Sequence, residues 1–251
     1  MSAEIYFSKI EELIKKVHTT QLDAIQQAGT AMAGSIAAGR AVHIFGSGHS
    51  VIPVMDIFPR YGGFIGFHPI YDPRLMWSNV VGPGGARELL WLERQENYIE
   101  VMLESHYLDE RDTMLVFSHG GLNAAPVEMA LGAKRRGLTV VAVTSLANHE
   151  MNTPTHSSGE SLKTAADIVI DNCSPPEDAL VPVGDLPGKT GASSTVTAVT
   201  IAMALVSETA SRLTEMGKTP ERLFVSPNVK EVPATNTADV YRDYMVFEKS
   251  L

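Results

Sequence analysis

Apolar residues follow one spacing over the first 39 positions of this chain and another from residue 42 onward. Ile10, Leu13, Ile14 and Val17 recur every three or four residues, opposite Glu11, Glu12, Lys15 and Lys16, which is one apolar stripe of a helix. A helical pattern resumes near Leu22 and stops at Gly39, so the first 39 residues read as a pair of helices. From Val42 the runs become short and almost wholly apolar: Val42–Phe45, Phe64–Phe67, Met114–Phe117, Thr139–Val143 and Ile168–Ile170. Strands covered on both faces of a parallel sheet have this composition. Ala124–Arg136, closed by Gly137, reads as a helix between two of them and predicts a right-handed crossover. Ser193–Met216 carries Ile201, Leu205, Thr209 and Leu213 at four-residue spacing and turns charged only at Glu208, Arg212 and Glu215. It predicts a long helix with a buried first half.

Two stretches break the pattern. Asp72–Arg87 and Asn172–Lys189 are rich in Pro, Gly and Asp, have no period, and read as irregular loops. No composition break marks a linker and no repeat is visible. The expectation is one domain over 1–251: N-terminal helices at 1–39, an α/β core at 40–217, and a C-terminal tail or helix at 218–251.

Composition narrows the picture little further. A hydrophobic fraction of 44% and a mean hydropathy of +0.01 suit a chain with a real core. No uninterrupted apolar run approaches the roughly 20 residues of a bilayer span, so no membrane partner is expected. Met1-Ser2-Ala3-Glu4 lacks the basic and apolar regions of a secretion signal, and Cys173 is the only cysteine, which together suggest a cytoplasmic protein. A net charge of −9 argues against a nucleic-acid partner.

The chemistry gathers where predicted strands end. Gly46-Ser47-Gly48-His49-Ser50 follows the first strand and Ser118-His119-Gly120-Gly121-Leu122-Asn123 the third. Glycines let a backbone turn sharply beside a ligand, and amides at the next helix's start can hold an anion. The dinucleotide fingerprint fails because Val51 stands at its third glycine. Gly188-Lys189-Thr190 is the end of a P-loop without its start, since Val183 occupies the first glycine position. Thr144, Ser145 and His149 follow the fourth strand, although capping the next helix is the ordinary task of such hydroxyls. The histidines show no metal-ligand spacing, and no metal or other cofactor is expected. Neither Ser50 nor Ser118 sits in a nucleophile elbow.

The paired loops resemble the phosphate-binding loops of the sugar isomerase (SIS) domain family, the second of which usually reads Ser-x-Ser-Gly-x-Thr or Asn. Leu92-Glu93-Arg94, Asn123-Ala124-Ala125-Pro126-Val127-Glu128, Val143-Thr144-Ser145-Leu146, His156-Ser157-Ser158-Gly159 and Ala166-Asp167-Ile168-Val169-Ile170-Asp171-Asn172 extend the resemblance to a subgroup of single-domain phosphosugar isomerases. The resemblance implies an α/β, flavodoxin-like three-layer sandwich with about five parallel strands. It also implies a phosphorylated sugar as ligand, and a homodimer with sites near the subunit interface. The apolar stripe Ile10–Val17 is then expected to be shielded in part by the partner. Carried over by position, Ser50, Ser118, His119 and Asn123 occupy phosphate-loop positions and Ser47 and Gly48 the turn; His49, Gly120 and Ser145, at the same strand ends, complete the expected substrate-binding set.

Two departures weaken that carry-over: Gly120 replaces a serine and Leu122 an arginine. The family's phosphoheptose isomerases use a glutamate and a late-helix histidine, yet Ser194–Met216 has no histidine. The candidates for acid–base work are therefore His156, Asp56 and Glu208, although Glu208 also has Arg212 at ion-pair spacing. The expected activity is aldose–ketose isomerisation of a sugar phosphate. The alternatives are a non-catalytic, metabolite-sensing binder and a lyase or deaminase of amino-sugar phosphates.

Overall fold

A single helix, α1 (Ser2–Ala37), replaces the expected pair in this computed structural model, which describes residues 1–251. The polar Thr19–Thr20 step that interrupts the apolar stripe stays helical, because both hydroxyls donate back to the carbonyls of Lys15 and Lys16. The chain then alternates β1 (Val42–Gly46), α2 (Val51–Ile57), β2 (Phe67–Pro69), α3 (Ala86–Leu92), α4 (Tyr98–Leu103) and β3 (Thr113–Phe117). It continues through α5 (Ala124–Arg135), β4 (Thr139–Thr144), α6 (Leu146–Met151), α7 (Leu162–Ala165) and β5 (Ile168–Asp171). A hairpin of β6 (Ala179–Pro182) and β7 (Lys189–Ala192), then α8 (Ser194–Glu215) and α9 (Asn236–Ser250), complete it.

The five main strands form one parallel sheet in the order β2-β1-β3-β4-β5, in register through Val42↔Phe67, Ile44↔Leu115, Leu115↔Val141 and Val141↔Ile168. Side chains alternate between its faces. Ile44, Leu115, Phe117, Val141 and Val143 join one core with α1, α2 and α8, while Phe45, Met114, Val116, Val140 and Ala142 join another with α4, α5 and α7. The result is the expected three-layer α/β sandwich. β2 starts three residues later than its apolar run suggests: the Gly66 carbonyl takes the Val42 amide, and Phe64 bridges to Leu223 instead.

Two further expectations change. Part of the stretch read as an irregular loop is the β6–β7 hairpin, whose Leu180 and Val181 bury Ile10 with Tyr6, Leu13 and Ile14 alongside. Tyr6 fastens it by donating to the Ala192 carbonyl at 2.7 Å. The chain itself thus covers much of the stripe assigned to a partner. Helix α8, with 22 residues and a mean hydropathy of 1.2 over its most apolar 18, does reach the length and composition of a membrane span. Its Ile201, Leu205 and Leu213 are buried in the core beside Met32 and Ala33 of α1, each such burial contributing about 1.5–3 kcal/mol.

Candidate active site

Strand order reverses between β1 and β3, and in open parallel sheets a ligand crevice forms at the carboxyl ends of the strands flanking such a switch. Both glycine-bearing loops open there. The first turns at Gly46, where a Cβ would lie 2.1 Å from the Ser50 carbonyl oxygen, so no side chain fits. The second turns at Gly121, with φ +64° and a Cβ position 2.6 Å from both His149 Nε2 and Thr144 Oγ1. Its carbonyls are held from behind. That of His119 accepts the Ser145 amide (3.0 Å) and Thr144 Oγ1 (3.2 Å), and that of Gly120 accepts Asn148 Nδ2 (2.9 Å). Thr144 in turn accepts from His149 Nε2 at 3.1 Å; burial, then the nearby Lys163, lowers the pKa of that imidazole. Ser118 Oγ accepts the Gly121 amide at 3.1 Å, leaving its own proton to donate. The amides of His119, Gly120, Leu122 and Asn123 have no acceptor within the chain, and α5 begins directly behind them.

A cleft of about 300 Å³ lies between the loops, lined by Ser47–Ser50, Trp77, Leu89, Leu90, Glu93 and Ser118–Asn123. A water-sized recess of about 10 Å³ adjoins it, shared by His49, Ser50, Ser118 and His119 and completed by Asn172, Ser194 and Thr195. His119 is oriented by Nε2 donating to the Pro176 carbonyl at 3.3 Å. His49 stands edge-on to Trp77, ring centres 4.3 Å apart.

Glu93, just past α3, is the acidic group of this cleft and was not among the sequence candidates. It is 8% exposed. Ser47 Oγ donates to its Oε2 at 3.1 Å and Asn123 Nδ2 to its Oε1 at 2.8 Å, so the carboxyl bridges the two loops. Its backbone carbonyl also takes the Ala125 amide at 2.9 Å. Burial raises its pKa, and the hydrogen bonds from Ser47 and Asn123, with the charge of Arg94, offset that only in part. The signals available in the sequence were its place in Leu92-Glu93-Arg94, a motif of the family resemblance, and its position ending the apolar run Leu89-Leu90-Trp91-Leu92.

The three sequence candidates for acid–base work do not line the cleft. His156 lies between Glu128 (3.6 Å) and Glu96 (3.9 Å), with Nδ1 accepting the Ser158 amide. Asp56, on α2, pairs with Arg60 one turn on. Glu208, on α8, takes Arg212 Nε at 2.8 Å. Ser145 does not line the cleft either. It caps α6 by accepting the Asn148 amide at 3.2 Å and donates to the Ser174 carbonyl at 2.7 Å. The other binding candidates, Ser47, Gly48, His49, Ser50, Ser118, His119, Gly120 and Asn123, all come together. A second histidine group lies at the opposite, amino edge of the sheet. There His43 bridges His68 (3.1 Å) and Asp112 (3.1 Å), and Asp112 is bound by Arg40. Burial, then His43, lowers the His68 pKa to about 4.

Comparisons with known proteins agree with this architecture. A family model described as SIS domain matches residues 5–145. A UPF0309 protein of Caldanaerobacter subterraneus subsp. tengcongensis is 35% identical over 230 residues, covering 90% of this chain and 91% of the relative. One from Shouchella clausii is 31% identical over 239 residues, covering 95% of each. Among solved structures, a phosphoheptose isomerase from Neisseria gonorrhoeae superposes with a TM-score of 0.54 at 12% identity, over 82% of this chain and 97% of that one. Another from Francisella tularensis gives 0.51 at 16%, over 83% and 96%. At such identities the likeness is one of fold. The sheet order, the paired strand-end loops and the matches along nearly the whole chain agree: the chain belongs to the SIS-domain family, among its UPF0309 members.

Proposed function

We propose that the cleft binds a sugar phosphate and that Glu93 moves a proton on it, as an aldose–ketose isomerase requires. The observation that carries this reading is the buried Glu93 carboxyl bridging the two loops at the wall of the cleft. Unpartnered amides, the Ser50 and Ser118 hydroxyls and the start of α5 suit a phosphate. No lysine or arginine lines the cleft, so these neutral donors and the helix dipole would hold the anion. Ionised Glu93 takes the proton from the carbon beside the carbonyl and returns it to the neighbouring carbon, while the hydroxyl proton passes between the two oxygens. A carboxylate whose pKa is raised toward the working pH is a better base for that step. The fold shared with two phosphoheptose isomerases supports the class without naming the sugar. The proposal includes a homodimer.

Turnover and calorimetry across hexose, heptose and amino-sugar phosphates test it. Glu93→Gln is expected to keep affinity for the preferred compound and lose at least about a hundredfold in turnover. Because His156 lies outside the cleft, His156→Gln should keep its turnover. Binding with no turnover across the panel would favour the metabolite-sensing alternative, and release of ammonia the deaminase.

A further inference from the structure

Three ionisable side chains line the cleft and its recess, His49, Glu93 and His119, and one of them has no polar partner. Glu93 is bound by Ser47 and Asn123. His119 has both ring nitrogens engaged. Asn172 Oδ1 accepts the Ser174 amide at 2.9 Å, so Nδ2 is the atom that faces His119 Nδ1, at 3.5 Å. With Nε2 donating to the Pro176 carbonyl, His119 is fixed as the neutral tautomer, and a second proton would have to enter against the Asn172 amide group. His49 is held differently. It is exposed at the cleft, neither ring nitrogen is hydrogen-bonded within the chain, and its aromatic neighbour Trp77 packs at 80° to it. The Gly48 amide, bonded to the Leu75 carbonyl at 2.8 Å, ties the His49 loop to the segment that carries Trp77. The hydroxyls of Ser47, Ser50 and Ser118 hold no proton that ionises near neutrality.

We infer that His49 is the second proton carrier of the cleft, serving the two oxygens of the substrate while Glu93 serves the two carbons. The assignment rests on the isomerase reading above, which leaves the hydroxyl proton without a carrier. As Glu93 takes the proton from the carbon beside the carbonyl, the C–H electron pair becomes a carbon–carbon double bond. The carbonyl oxygen then takes its proton from the His49 imidazolium. His49, now neutral, removes the hydroxyl proton from the neighbouring oxygen, which becomes the new carbonyl, and Glu93 returns its proton to the former carbonyl carbon. Both side chains end in the state in which they began. An imidazole suits the oxygen-to-oxygen transfer because it gives and takes a proton near neutral pH. The titratable groups facing His49 across the cleft and recess are Glu93 and His119; the start of α8 brings only the hydroxyls of Ser194 and Thr195.

Steady-state kinetics across pH test the assignment, on the whole protein and on whichever sugar phosphate of the panel turns over fastest. Calorimetry of inorganic phosphate serves as the binding control. His49→Gln and His49→Asn are each expected to lose at least about a hundredfold in kcat, with KM and affinity for inorganic phosphate retained. The fall of kcat/KM on the alkaline side, where the imidazolium is lost, should be present in the parent and absent from both variants. His119→Gln should keep that alkaline fall whatever its rate. A smaller loss of kcat in either His49 variant, or an alkaline fall that survives in them, overturns the inference and leaves the isomerase reading intact. Loss of turnover together with loss of inorganic phosphate binding also overturns it, since His49 then holds the anion. If the parent turns over no sugar phosphate, the isomerase reading fails and the assignment fails with it.

Discussion

Glu93 works against the fold that holds it. Burial raises its folded-state pKa above the unfolded value of about 4.3, so protonated Glu93 is the form the fold prefers. Its contribution to stability is fully present below the unfolded pKa and is lost as pH rises through the folded one. Glu93→Gln should therefore melt at a higher temperature than the parent at pH 8, the difference fading as pH falls toward 4. Thermal denaturation across that range checks it, and a lower melting temperature at pH 8 would make the carboxylate a structural support. A group that destabilises the fold while lining its cleft is the pattern expected of a functional residue. The loop residues around it were legible because each ends a strand that the apolar pattern locates. Glu93 was legible only as part of the Leu92-Glu93-Arg94 resemblance and not as a site residue, because it reaches Ser47 from the end of a helix 46 residues further on. His156, Asp56 and Glu208 were attractive for their residue types, but each is engaged by neighbours away from the cleft.

At the scale of elements, apolar runs were a sound guide wherever burial on both faces decides the structure. The cores of β1, β3, β4 and β5 and the helices α5 and α8 fall where the pattern puts them. The pattern was weaker where other forces decide. The hairpin has a second strand exposed throughout, so its sequence carries no burial signal. That hairpin also supplies the cap of α8. Asp178, just before β6, accepts the amides of Ser193 (3.0 Å) and Ser194 (2.6 Å) and the Ser194 hydroxyl (2.8 Å). A carboxylate at a helix start satisfies orphan amides and complements the dipole. Asp178→Gly suits the left-handed φ of +57° and so isolates the loss of the cap. It should cost about 1–2 kcal/mol in chemical denaturation, and stability equal to the parent would show that the cap contributes nothing.

For the whole molecule, the case for self-association moves from one end of α1 to the mouth of the cleft. The hairpin already covers Ile10, whereas Val80, Val81 and Trp91 are 77%, 85% and 63% exposed. They lie on adjoining surfaces that share Arg87. Exposed apolar area of this kind marks an interaction surface. Sedimentation at micromolar concentration should give a dimer, and Trp91→Glu should shift it toward monomer; a monomeric parent chain would refute the dimer. A different use follows from Cys173. This single thiol is packed into the larger core, and burial, then Asp171, pushes its pKa up to about 11. At neutral pH it is a shielded thiol, and a maleimide or disulfide reagent can reach it only when the core opens. The labelling rate is then a clock for that opening, slow in buffer and fast in denaturant. Any compound that binds only the closed molecule slows the clock by mass action, so one atom can report ligands before any reaction has been assigned.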